Sequence, residues 1–180
     1  PNERLIFNQD NVKEIWMPSE DARGAGYARA KAQELYDGED FFLQIDSHTF
    51  FDPGWDTKLL DAYYMATKIE NDDKIIISQF PRKYERDDDG RIVLRENSNN
   101  YGDGVDNGEI SRIGVTVGKK KEIRPHRIEF DSKDTFDPEE SKSITAGLVF
   151  APGKIVHEVP YDHEIVFWGE EVTFSMRAWL

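Results

Sequence analysis

Residues 41–48 read Phe41-Phe42-Leu43-Gln44-Ile45-Asp46-Ser47-His48, a mostly apolar run that stops in three polar residues. A short apolar run of this kind, bounded by stop signals, reads as a buried strand. Upstream, Ala25, Ala28, Ala32 and Leu35 recur at helical spacing, and these small residues are expected to form one face packed on the sheet. Ser19 is expected to cap that helix, with Glu20 and Asp21 in the first turn, and Gly38 is expected to stop it. Residues 13–17 (KEIWM) read as a further short strand ended by Pro18. Downstream of Pro53-Gly54, Leu59, Leu60, Tyr63 and Ala66 mark a second helix over residues 55–69. Residues 74–79 (KIIISQ) are a β-rich run closed by Pro81. Strand, helix, strand at these lengths predicts a βαβ layer in an α/β domain with a largely parallel sheet.

The middle of the chain changes character. Asp87-Asp88-Asp89-Gly90 is a turn signal, and residues 97–109 are rich in Asn, Asp and Gly, as a solvated loop would be. Within them, residues 103–108 (DGVDNG) lack the spacing and flanking helices of an EF-hand. Residues 110–117 and 122–130 flank Gly118-Lys119-Lys120-Lys121 and predict a hairpin with solvated lysines; residues 131–140 read as an acidic linker. Structure resumes over residues 143–150 and 154–159. A last helix follows, with Val172, Ser175 or Met176, and Trp179 on one face, and Trp55 and Trp179 are expected to anchor the core. The organisation expected is one domain over residues 1–180 with a loop or hairpin insertion at about 84–140.

Composition narrows the function. The chain has 180 residues and a formal charge of −13 from 23 Lys+Arg against 36 Asp+Glu. Nucleic acid and anionic membranes are poor partners for that balance, since phosphate binding needs clustered cations. There is no Cys, hence no thiolate nucleophile, disulfide or Cys-ligated zinc. No apolar run is long enough for a transmembrane segment, and residues 1–10 lack a signal-peptide core, so a soluble, cytoplasmic protein is expected.

The sharpest chemical signal is Asp46-Ser47-His48 at the carboxyl end of the predicted strand, where open α/β sheets bind ligands. Residues two apart face the same way, and an oxygen with an imidazole nitrogen suits Mn²⁺ better than Ca²⁺. The same triplet also suits a polar turn with a surface histidine. His126, His157 and His163 have no spaced partner and read as structural, with the alternative that His163, just before the Trp-Gly turn, lines the acceptor cleft.

Residues 22–55 run ARGAGYARAKAQELYDGEDFFLQIDSHTFFDPGW: an Arg-Gly entry, a small-residue helix, a Gly stop, a hydrophobic strand, Asp-x-His and Gly-Trp. This series resembles the polypeptide N-acetylgalactosaminyltransferases and, more closely, the cytoplasmic hydroxyproline-directed N-acetylglucosaminyltransferases. Residues 143–151 (SITAGLVFA) resemble that family's Ala-Gly strand, and residues 166–179 (VFWGEEVTFSMRAW) its Trp-Gly-(Gly)-Glu helix start with a trailing Ser-x-Arg-x-Trp. The resemblance covers residues 11–82 and 143–180. It implies a GT-A-like mixed sheet flanked by helices, lacking the first βα unit and incomplete at both ends.

Carried across, the resemblance implies Asp46 and His48 as Mn²⁺ ligands and Gly24, Arg29, Asp46, Gly147, Trp168 and Gly169 as donor-binding residues. Glu170 and Glu171 are the catalytic carboxylates it implies, and the missing second glycine leaves open which of them takes the family's position. The function implied is metal-dependent, retaining transfer of a sugar, favouring N-acetylglucosamine, from a UDP-sugar to a protein or glycan hydroxyl. The alternative is a non-catalytic glycan- or nucleotide-sugar-binding domain on the same fold. A metal-dependent hydrolase would need further close ligand pairs, which the sequence lacks.

Overall fold

The computed structural model describes residues 11–79, 84–94, 111–117, 123–129, 138, 140–141, 143–167 and 169–180. The predicted loop at 97–109, the lysines of 118–121, Pro81, most of the 131–140 linker and Trp168 lie outside the described residues. The chain is mixed α/β. A 3-10 turn at Ser19–Asp21 leads to α1 (Ala25–Gln33), β1 (Phe41–Ile45), α2 (Trp55–Glu70) and β2 (Ile77–Ser78). Then come β3 (Tyr84–Arg86), β4 (Ile92–Leu94), β5 (Ser111–Val117), β6 (Ile123–Glu129), β7 (Leu148–Pro152), α3 (Ile155–Glu158) and α4 (Glu170–Trp179). None of the described helices is long and apolar enough to cross a membrane.

The central sheet has the order β1-β7-β2, and both outer strands pair with β7 in antiparallel sense. This corrects the expected parallel sheet. β1 and β2 do run the same way and α2 does connect them, but β7, arriving from far along the chain, occupies the slot between them. Apolar patterning identifies a strand without identifying its neighbour. As the middle strand, β7 is covered on both faces, so consecutive Val149, Phe150 and Ala151 are all buried. They join Ile144, Ile155, Val156, Tyr161 and Phe174 in the core. Phe41 stacks on Phe150 at 5.1 Å, and Tyr63 from α2 closes edge-on against Phe41 at 5.2 Å. The predicted α2 stands, with Tyr63 and Ala66 buried.

Other expectations are overturned. Residues 12–18 form no strand; Lys13 instead donates to the Leu35 carbonyl at 3.0 Å, tying the segment across the end of α1 by a side chain rather than a ladder. Ser19 opens only the 3-10 turn, and α1 starts after Gly24 and stops at Gln33, ahead of Gly38. Its inner face is also rotated from the alanine stripe: Ala28 and Ala32 are exposed, while Gly26 and Gln33 are buried. That rotated face packs Ala30 against the core and turns Gln33 inward beside it. In α4, Phe174 and Ser175 point inward, whereas Met176 and Trp179 are 57% and 59% exposed, so Trp179 is not a core anchor. The hairpins fare better. β5 and β6 pair as predicted, and β3 and β4 flank the Asp87–Gly90 turn, closed by Gly90 N–H donating to the Asp87 carbonyl at 2.8 Å.

Candidate functional site

Arg29 on α1 is the centre of the arrangement. Its Nη2 donates to Asp46 Oδ1 at 3.1 Å, and its Nη1 donates to Glu170 Oε1. Asp46 is the first residue beyond β1 and Glu170 is the first residue of α4, so one guanidinium ties the strand end to the helix start. The Arg29 side chain is only 18% exposed. Burial alone would lower its pKa, but the hydrogen bond and charge of Glu170 outweigh that and raise it, so it remains a fixed cation.

Local chemistry explains why α4 begins here. Gly169 caps it at φ 96°, in the left-handed region where glycine carries no Cβ penalty, and among the described residues beyond its chain neighbours nothing lies within 4 Å of where a Cβ would sit. Glu170 and Glu171 then fill the first turn, where the helix dipole favours negative charge. Glu170 is buried, and its Oε2 has no hydrogen-bond partner among the described residues. Glu171 turns the other way. Its Oε1 accepts from the Ala146 N–H at 2.8 Å and the Thr145 hydroxyl at 3.4 Å. Burial raises the Glu171 pKa, with Glu170 adding to the effect and the Ala146 N–H opposing it.

The segment carrying Thr145, Ala146 and Gly147 is not a strand, and its backbone groups must be satisfied by side chains. Ser78 Oγ accepts from the Thr145 N–H at 2.8 Å, Ser175 Oγ accepts from the Ile144 N–H at 2.8 Å, and Gln44 Nε2 donates to the Ala146 carbonyl at 2.9 Å. Gln44 also donates to the Tyr161 hydroxyl at 2.8 Å. Tyr161 lies beneath Arg29, whose guanidinium carbon is 5.7 Å from the ring centroid. Burial pushes the Tyr161 pKa up to about 12, so the ring stays neutral.

Of the residues singled out in the sequence, Arg29, Asp46 and Glu170 are brought into direct contact, and Glu171 and buried Gly147 border them through the 145–147 segment. His48 is exposed, and its carbonyl accepts from the Tyr84 hydroxyl at 3.0 Å. No group of three or more His, Cys, Asp or Glu able to hold a metal occurs among the described residues. Gly24 serves a close approach within the chain: a Cβ there would fall 2.0 Å from the Val166 carbonyl oxygen, which accepts from the Ala25 N–H at 2.9 Å. His157 packs edge-on against Tyr36, and His163 is paired with Glu164 at 3.1 Å. Sequence reading missed Gln33, Gln44, Ser78, Tyr161 and Ser175. For Gln44 and Ser78 the signal was there, a polar residue inside an apolar strand run.

A buried cation shared by two carboxylates, beside a segment whose amides are held by side chains, can preorganise charge for a reaction at a neutral ligand or an anion. A family model described as Glycosyltransferase (GlcNAc) matches residues 1–180. No curated protein and no solved structure matches the chain.

Proposed function

The chain belongs to the GlcNAc glycosyltransferase family, and from that premise we propose that it transfers N-acetylglucosamine from a UDP-sugar to a protein or glycan hydroxyl, with retention and on a GT-A-like framework. The observation that carries the reading is the Arg29 bridge, which sets a strand-end carboxylate, Asp46, beside a helix-start carboxylate, Glu170. In the reading, Asp46 marks the nucleotide side of the site and Glu170 the sugar side. Gly169 carries no Cβ, and among the described residues beyond its chain neighbours nothing crowds that position, which suits close approach of a ring. Gly24, Gly147 and Trp168 complete the donor site of this proposal.

Asp46 and His48 would hold a divalent ion of the Mn²⁺ type. The donor chemistry fits, for a carboxylate and an exposed imidazole lie two residues apart, and Arg29 engages Asp46 through Oδ1. When bound, such an ion neutralises charge on a leaving diphosphate. The chain's own groups do the rest. Glu170, buried and hydrogen-bonded to Arg29, stabilises positive charge developing at the sugar carbon. Arg29 in turn keeps two carboxylates from repelling each other. No covalent nucleophile is assigned. The acceptor oxygen bonds to the sugar carbon on the face from which the phosphate oxygen departs, and that phosphate takes the hydroxyl proton.

The test is UDP release from a panel of UDP-sugars with Mn²⁺ and with chelator. Turnover with UDP-N-acetylglucosamine that chelator abolishes is expected; turnover with another sugar alone, or none, would overturn the reading. Glu170→Gln should lower kcat about a hundredfold or more while leaving donor affinity within a few-fold.

A further inference from the structure

We propose that Tyr161 is a positioning residue that aims the Arg29 guanidinium between Asp46 and Glu170. The proposal rests on the transfer reading for its kinetic consequence alone. Arginine is long and flexible, and a guanidinium that must serve two carboxylates at once needs a wall to fix its plane. Tyr161 supplies that wall: the guanidinium stands over its ring, the ring is 5% exposed, and it stacks on Phe174 at 4.8 Å and 16°.

The wall is itself held from both helices. One peptide unit joins Pro160 to Tyr161, and both its polar ends are gripped. The Tyr161 N–H donates to Gln33 Oε1 at 2.9 Å, and Arg177 Nη1 donates to the Pro160 carbonyl. Gln33 lies one turn beyond Arg29 on the same face of α1, so the helix that carries the cation also grips its support. Arg177 lies one turn beyond Phe174 on α4, so the helix that begins with Glu170 grips the other end. At the far tip, the Tyr161 hydroxyl accepts from Gln44, two residues before Asp46. Every element bearing one of the three charged groups thus touches Tyr161. On the rotated face of α1, Gln33 thus grips Tyr161 while Ala30 packs on the core beside it.

The test is ¹⁵N NMR of the Arg29 guanidinium, assigned by its absence in Arg29→Lys, in the unaltered chain, Tyr161→Phe and Tyr161→Leu. The unaltered chain and Tyr161→Phe should show slow rotation about Nε–Cζ, and Tyr161→Leu should show fast rotation with backbone amide shifts otherwise kept. In turnover, Tyr161→Leu should lose about tenfold or more in kcat with donor KM within about twofold, Tyr161→Phe should stay near the unaltered chain, and Tyr161→Leu/Arg29→Lys should be no worse than Arg29→Lys. Slow rotation retained in Tyr161→Leu, or losses that multiply in the double variant, would overturn the proposal. Tyr161→Met replaces the leucine variant if that one fails to fold. Should no UDP-sugar be turned over, the transfer reading falls, and the NMR comparison still decides the role of Tyr161.

Discussion

The two carboxylates that share Arg29 live in different solvents. The Asp46 side chain is 37% exposed and that of Glu170 is 8% exposed. A half-exposed ion pair contributes about 0–1 kcal/mol because water and salt screen it. Breaking a buried pair costs about 3–5 kcal/mol, since the surviving charge is left unsolvated. The rim, residues 46–48, can therefore exchange partners at little cost, while the floor around Glu170 cannot. On the proposed transfer reading, that asymmetry would set a half suited to loading and release beside a half suited to standing ready.

The largest test of that contrast removes the shared cation. Arg29→Met leaves Glu170 buried without a counter-charge and should lower unfolding stability by about 3–5 kcal/mol in urea titration. Arg29→Lys should recover part of it, because an ammonium is a point charge that cannot fork to both partners. A loss below about 1 kcal/mol for Arg29→Met would mean that Glu170 is not held as a buried anion and would erase the contrast. Next comes the glycine pair. Gly24 and Gly169 both have φ near +97°, at +98° and +96°, but a Cβ on Gly24 meets the Val166 carbonyl at 2.0 Å while one on Gly169 meets nothing within 4 Å among the described residues beyond its chain neighbours. Gly169→Ala should cost about 1–2 kcal/mol of backbone strain alone. Gly24→Ala should cost more, about 3 kcal/mol or above, because its ψ of −179° lies outside the left-handed region that Gly169 occupies and because residues 165–166 must also move. Equal melting-temperature losses in the two variants would show that neither the difference in ψ nor the Val166 contact weighs on the fold.

At the rim the effect shrinks. Asp46→Asn should change stability by about 0–1 kcal/mol in the same titration. It should weaken Mn²⁺-dependent donor binding at least tenfold by calorimetry, as expected when a charged ligand is lost. A stability loss as large as that of Arg29→Met would place Asp46 on the floor with Glu170.

How much of this was legible follows from which forces leave a local trace. β1 was readable as an apolar run that stops, α2 as a helical period, and the β5–β6 hairpin as two strand-like runs flanking Gly118-Lys119-Lys120-Lys121. Asp46 and Glu170 were readable as endpoints, each marked by the residues around it: an apolar run that stops, and a Gly-Glu-Glu helix start. The antiparallel insertion of β7 was not, because strand order depends on contacts far apart in sequence. Nor was the inner face of α1. Its alanines offered a stripe by size, but Arg29 and Gln33 are turned inward by partners on β1, α4 and the loop before it. A polar residue is placed in a core by its hydrogen bonds, and those partners are invisible from one helix alone. Gln44 carried a warning that Tyr161 did not, since an amide inside FFLQI demands a partner whereas a tyrosine ahead of Asp-His does not.

The smallest effect concerns the floor itself and appears only as a slope. Burial raises the Glu171 pKa in the folded chain above its ordinary 4.5. From pH 4.5 up to the raised value, the folded chain therefore binds more protons at this site than the unfolded chain does. Stability contributed by this group must fall as pH rises through that window, and the full penalty persists above it. Most carboxylates that gain partners on folding give the opposite slope, so the informative quantity is the difference between the unaltered chain and Glu171→Gln. The glutamine keeps a carbonyl oxygen for the Ala146 N–H and the Thr145 hydroxyl, so the 145–147 segment should hold its place. The variant should match the unaltered chain near pH 4 and become the more stable of the two by pH 7, read as melting temperature across the range. The reverse crossing, with the unaltered chain gaining on the variant as pH rises, would mean that the Ala146 N–H outweighs burial, and that the floor welcomes a second anion beside Glu170.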